Sequence, residues 1–190
     1  MAPSDPAGHH RTVAANFGAV VDATTDWDAP TPVPEWQARD VVRHLHGWFG
    51  GFLAAGAGIE LPAGPPIDTD PAGAWRQRAD AVQAVLDDPA TAYRTFELTP
   101  HIAATPLAEA IETYYTTDVL MHTWDLARAS DLDHGLDRAE CAAILAGMEP
   151  MDEVLRASGQ YGPRMPVDDG ADAVTRLMAF VGREPGWTPA

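Results

Sequence analysis

At 190 residues, with 46% hydrophobic and 21% charged side chains, the chain is long enough to bury a core within one domain and too apolar to be disordered. Its formal charge of -16, from 28 acidic residues against 12 basic ones that are all arginine, argues against nucleic acid or an anionic membrane as partner, because both would be repelled. The single cysteine, Cys141, rules out an internal disulfide framework and a Cys-Cys metal motif.

Residues 1–7 are expected to form a flexible tail, with neither the basic region nor the apolar stretch of a signal peptide. From about Gly8 to Thr24, Val13, Phe17, Val20, Val21 and Thr24 recur at steps of three and four, which predicts a first amphipathic helix. Pro30, Pro32 and Pro34 mark a loop. A second helix is predicted from Trp36 or Gln37 to Ala55, with Val41, Val42, Leu45, Phe49 and Leu53 inward and Asp40 in its first turn. Its glycines, Gly47, Gly50 and Gly51, suit close helix packing or room for a ligand. After a Gly- and Pro-rich loop, a third helix spans about Pro71 to Leu86. Tyr93, Phe96 and Leu98 suggest a short extended piece. Thr105 as cap and Pro106 in the first turn start a fourth helix that runs to Ser130. A fifth runs from about Asp137 to Ala157, kinked or broken at Pro150, and a short last one from Ala171 to Val181. No run approaches the ~20 apolar residues of a membrane span, so a cytoplasmic, all-α four-helix bundle with short additional helices is expected, one domain over residues 1–190, monomeric or homodimeric.

In the fourth helix Asp118 and His122 are four residues apart, hence stacked on one face. That face also carries Ile111, Tyr115 and Leu126 and is the inward one. Burying a carboxylate and an imidazole is costly unless they pair or hold a metal. A third ligand can come from His44 or His46 on the second helix, and periodicity does not separate the two. Two imidazoles and one carboxylate would leave a coordination position open, as catalytic zinc sites do. The competing reading is a buried Asp118–His122 hydrogen bond with the second-helix histidines in solvent. Asp125 is placed either behind His122 or in a surface ion pair with Arg128, and Trp48 and Tyr115 are candidates to line a substrate pocket. Cys141 reads as an inert core residue, and His9, His10, His101 and His134 as solvated. No nucleophile elbow, P-loop or dinucleotide fingerprint is present.

Three segments together resemble a known family. Trp36-Gln-Ala-Arg-Asp-Val-Val-Arg-His44-Leu, then Asp118-Val-Leu-Met-His122-Thr-Trp-Asp-Leu-Ala-Arg-Ala, then Tyr161-Gly-Pro followed by Asp172-Ala-Val-Thr-Arg-Leu-Met-Ala-Phe-Val-Gly-Arg, are similar to the DinB-like metal-binding superfamily. The likeness is to its actinobacterial branch, related to the metal-binding domain of mycothiol-dependent maleylpyruvate isomerase. The resemblance implies a bundle with a divalent metal held by His44, Asp118 and His122, zinc first, nickel or iron as alternatives. Asp118 stands where the isomerase has Glu, which draws the metal nearer this helix. Gln37 stands where related sequences carry a Thr or Ser cap, which predicts a looser start to the second helix. The isomerase has a second, C-terminal domain while this chain ends at Ala190, which turns the expectation away from maleylpyruvate isomerisation itself. The resemblance implies a thiol transferase or isomerase in which mycothiol or a similar thiol attacks a small-molecule substrate, with Arg39, Arg43 or Arg128 available for an anionic one. A metal-dependent hydrolase and a non-catalytic metal or small-molecule binder are the alternatives.

Overall fold

The computed structural model describes residues 5–98 and 104–189. Helix α1, Pro6–Ala23, starts where the Asp5 carboxylate accepts the Gly8 N–H at 2.9 Å with Pro6 in the first turn. Asp5, Pro6 and Ala7 are therefore the cap and opening turn of a helix rather than a tail; residues 1–4 lie outside the described residues, as does His101. Helix α2, Ala38–Ala57, opens more tightly than Gln37 predicts, because the Asp40 carboxylate accepts the Gln37 N–H at 2.9 Å. It closes on Gly58, at φ 63°, a conformation glycine adopts without the strain of a β-carbon. Helix α3, Pro71–Asp87, repeats the Asp-Pro opening of α1: the Asp70 side chain accepts the Gly73 N–H at 2.8 Å.

A short helix α4, Pro89–Ala92, leads into a minimal antiparallel pair, β1 Thr95–Phe96 and β2 Thr105–Pro106, with Phe96 opposite Thr105. This corrects the expected helix start. Thr105 and Pro106 are extended, the Leu107 N–H donates to the Arg94 carbonyl at 2.8 Å, and the Thr105 hydroxyl goes to Glu109 instead of capping a helix. The helical run begins one residue later and has three parts: α5 Leu107–Ala110, a π-helical segment Ile111–Thr116, and α6 Thr117–Ala129. In the π segment the bond from the Thr117 N–H reaches back five residues to the Glu112 carbonyl. The extra residue per turn sits immediately before Asp118.

Pro150 interrupts the next helix as expected. Helix α7, Arg138–Met148, gives way to a 3-10 turn, Glu149–Met151, and resumes as α8, Asp152–Ala157; α9 is Ala173–Phe180. Helix α1 packs on α3 and α6, and α2 on α3 and α6, which makes the four-helix bundle, while α7 and α9 form an added pair. Phe17, Leu45, Phe49, Leu53, Trp75, Ile111, Tyr115 and Leu126 form one continuous core. From Val119 to Ala127 every residue of α6 is buried, so this helix is enclosed on all sides. That enclosure puts its polar residues into the interior.

Two histidines depart from the expected solvated state. His10 is fully buried, its Nδ1 2.9 Å from the Thr116 hydroxyl. His9 joins α1 to both the π segment and α7, with Nδ1 2.8 Å from Glu112 and Nε2 2.5 Å from Glu140. Both follow from the earlier start of α1, which turns its first residues toward the long helix. His134 is half-buried, and its Nδ1 accepts the Leu136 N–H at 3.0 Å.

Candidate metal centre

The second helix buries Val41, Val42, Leu45 and Phe49 in the core, which leaves His44 and Trp48, one turn apart, on the flank that meets α6. Asp118 lies in the first turn of α6 and His122 one turn further. Across this contact His44 Nε2 is 3.0 Å from Asp118 Oδ2, and the Trp48 indole N–H donates to the same oxygen at 3.0 Å. His122 Nε2 is 3.5 Å from Asp118 Oδ1. One donor atom from each of His44, Asp118 and His122 lies within 4.8 Å of the others. Trp36 covers the pair, stacked on the His122 ring at 5.6 Å between centroids and tilted against His44 at 5.1 Å.

Behind His122 stands Asp125, whose Oδ2 is 2.8 Å from His122 Nδ1. Arg183, just past α9, donates to Asp125 through Nε at 3.0 Å and Nη2 at 2.8 Å. The Asp125 side chain is fully buried, so it is no surface partner of Arg128; the Arg128 guanidinium instead donates to the Trp187 carbonyl. Burial pushes the Asp125 carboxyl up, but Arg183 and His122 together bring it down to about 2. An ionised carboxylate only accepts, so His122 Nδ1 is the donor and its tautomer is set. In the neutral ring Nε2 then carries a lone pair, aimed at a carboxylate oxygen. Burial also pushes Asp118 up, and His122, His44 and the Trp48 indole outweigh it to hold the carboxyl below its usual range. Two electron-pair donors facing each other at this depth require a cation between or on them, either a proton or a metal ion. The set fits a divalent metal: two imidazole nitrogens and one carboxylate, with the orienting outer partner that metal-bound histidines commonly have.

The structure brings together the three residues singled out in the sequence and separates off the alternative. His46 points toward α3, where its ring and carbonyl meet the Arg78 guanidinium. Trp48 acts on the site by binding Asp118. Tyr115 is fully buried, with its ring stacked on Phe49 at 3.8 Å. Arg39 and Arg43 are engaged by Asp28, Asp40 and Asp68. Cys141 is buried, and burial pushes its thiol up to about 12. Sequence reasoning missed Trp36 as the ring over the ligands and Arg183 as the partner of Asp125. Arg183 does fall within the C-terminal segment of the resemblance, but no spacing rule links it to Asp125.

An all-α bundle with an interior two-histidine, one-carboxylate cluster is the class that fold and site define. Residues 9–127 match the family described as Mycothiol maleylpyruvate isomerase N-terminal domain, and the chain belongs to that family. Two proteins of Mycobacterium tuberculosis, Uncharacterized protein MT0763 of strain CDC 1551 / Oshkosh and Uncharacterized protein Rv0738 of strain H37Rv, are each 30% identical over 191 aligned positions, covering 94% of this chain and 98% of the relative. No solved structure matches. Among the described residues, no helix is long and apolar enough to cross a membrane.

Proposed function

We propose that His44, Asp118 and His122 hold one divalent ion, zinc in the first instance, and that the protein is a thiol S-transferase or isomerase using mycothiol or a similar low-molecular-weight thiol. The observation that carries this reading is the geometry of His122: Nδ1 is committed to Asp125, which leaves Nε2 aimed at Asp118 Oδ1 across 3.5 Å with His44 alongside. A divalent ion held by this donor set supplies Lewis-acid chemistry, lowering the pKa of a thiol ligand so that it reacts as a thiolate at neutral pH.

The chain's own residues do the rest. Asp125 and Arg183 fix the plane of the His122 ring. The Trp48 N–H and His44 Nε2 meet at Asp118 Oδ2, which leaves Oδ1 toward His122. Trp36 shields the His122 side, whereas the His44 side chain is 32% exposed against 6% for His122, so approach is from the His44 edge. The family membership supports a mycothiol-type thiol, and the reducing cytoplasm is where such thiols persist. The test is conjugation of mycothiol to a bimane electrophile by the metal-loaded protein. Turnover above that of the His122→Ala protein is expected; equal rates would reduce the protein to a binder of metal or thiol.

A further inference from the structure

Arg78 is the one arginine among the described residues that is buried, at 4% exposure, and no carboxylate contacts it. Its Nη2 donates to the His46 carbonyl at 3.0 Å and meets the His46 ring at 3.1 Å. Its Nε and Nη1 are buried with no partner. The Tyr115 hydroxyl is also buried and unpartnered, and its ring stacks at 3.8 Å on Phe49, the neighbour of Gly50, whose β-position is 3.9 Å from Arg78 Nη1. His10, with its ring 5.8 Å from that of Tyr115, adds a fourth unpartnered buried atom, Nε2. Arginine does not shed its proton inside a protein, so the charge persists, and among the described residues no carboxylate is within ion-pair distance to balance it.

We propose that Arg78 and Tyr115, with His10 beside them, form a subsite for a small monocarboxylate. One buried guanidinium balances a single negative charge; a dianion would leave an uncompensated one, in a chain already carrying a formal charge of -16. The Arg78 N–H groups and the Tyr115 hydroxyl are the donors a carboxylate accepts from. Gly50 of α2 lies over the guanidinium, its β-position 3.9 Å from Nη1, and Gly47 and Gly51 have nothing within 4 Å of theirs, so α2 presents bare backbone along this approach. Tyr115 precedes Asp118 by three residues, which places the subsite one turn from the metal centre. The further step, that the carboxylate belongs to the electrophile on which the thiol acts, rests on the function proposed above; the subsite itself does not.

The experiment is thermal unfolding of the full-length protein titrated with sodium acetate or butyrate, against sodium chloride at matched ionic strength, with metal content measured on the same samples. Wild type is expected to show a saturable rise in Tm with the carboxylates. Arg78→Met is expected to lose that rise while keeping its metal and a ligand-free Tm at or above that of wild type, since an apolar side chain replaces an unpaired buried ion. Tyr115→Phe is expected to weaken the carboxylate by roughly tenfold. The subsite is overturned if wild type shows no carboxylate-specific rise, or if the rise survives in Arg78→Met. A rise that is lost only in His122→Ala and kept in Arg78→Met places the acetate on the metal and overturns it equally. An Arg78-dependent rise in protein that holds no metal upholds the subsite and refutes the metal reading instead.

Discussion

Arg183 and Asp125 touch no substrate, yet they decide how His122 presents Nε2. Replacing Arg183 by Met leaves Asp125 buried without its cation, which frees the His122 ring to turn. Loss of such an outer partner typically costs 10–100-fold in metal affinity, and Arg183→Met is expected to weaken zinc by about that factor in competition with a chromophoric chelator. Unchanged affinity in a folded variant would show that Arg183 only ties down the C-terminal segment. The thiol of Cys141 offers a second check. Buried and pushed up to about 12, it is expected to resist a disulfide reagent at pH 7 until the protein unfolds. At this scale Asp118 and His122 were legible in the sequence because four-residue spacing on an apolar face is a local signal, whereas His44 was told from His46 only by the family resemblance. Arg183 lies 58 residues from Asp125 and left no periodic trace.

At the level of elements, two neighbouring histidines on α1 respond to pH in opposite senses. His9 is raised to about 10, first by its hydrogen bonds to Glu112 and Glu140, so its contribution is complete below about 6.5 and is lost as pH rises toward 10. His10 is lowered to about 4 by burial, so its contribution is present above about 6.5 and is lost as pH falls toward 4. Urea midpoints across pH should therefore fall on both sides of near-neutral; His9→Gln should flatten the alkaline limb and His10→Gln the acid one. A limb that keeps its slope in the matching variant would contradict the assignment. Packing between elements gives another expectation. A β-carbon at Gly56 would collide with the Phe96 ring, which stacks on Phe52, so Gly56→Ala should cost ~1–3 kcal/mol in chemical denaturation. The helices themselves were readable from apolar periodicity and Asp-Pro starts. The π segment was not, because one added residue disturbs a 3.6-residue pattern too little to register. Thr105 misled because a cap-and-proline sequence also suits an extended pair, and the Arg94 carbonyl decided between them.

Across the whole molecule, four helices converge so that α6 is enclosed, and that enclosure gives its polar residues their chemistry. A buried carboxylate and imidazole are affordable only where each has a partner, and here the partners come from α2, from the segment after α9, and from the proposed ion. The bundle was legible because each helix carries its own amphipathic signal. The positions of His9, Arg78 and Arg183 were not, because each depends on contacts between distant parts of the chain. The account stands most directly on metal content. Protein purified without added metal is expected to carry about one equivalent of divalent ion per chain, to keep it in His46→Ala, and to lose it in His44→Ala and His122→Ala. A metal-free wild type, or metal lost in His46→Ala and kept in His44→Ala, would contradict the account.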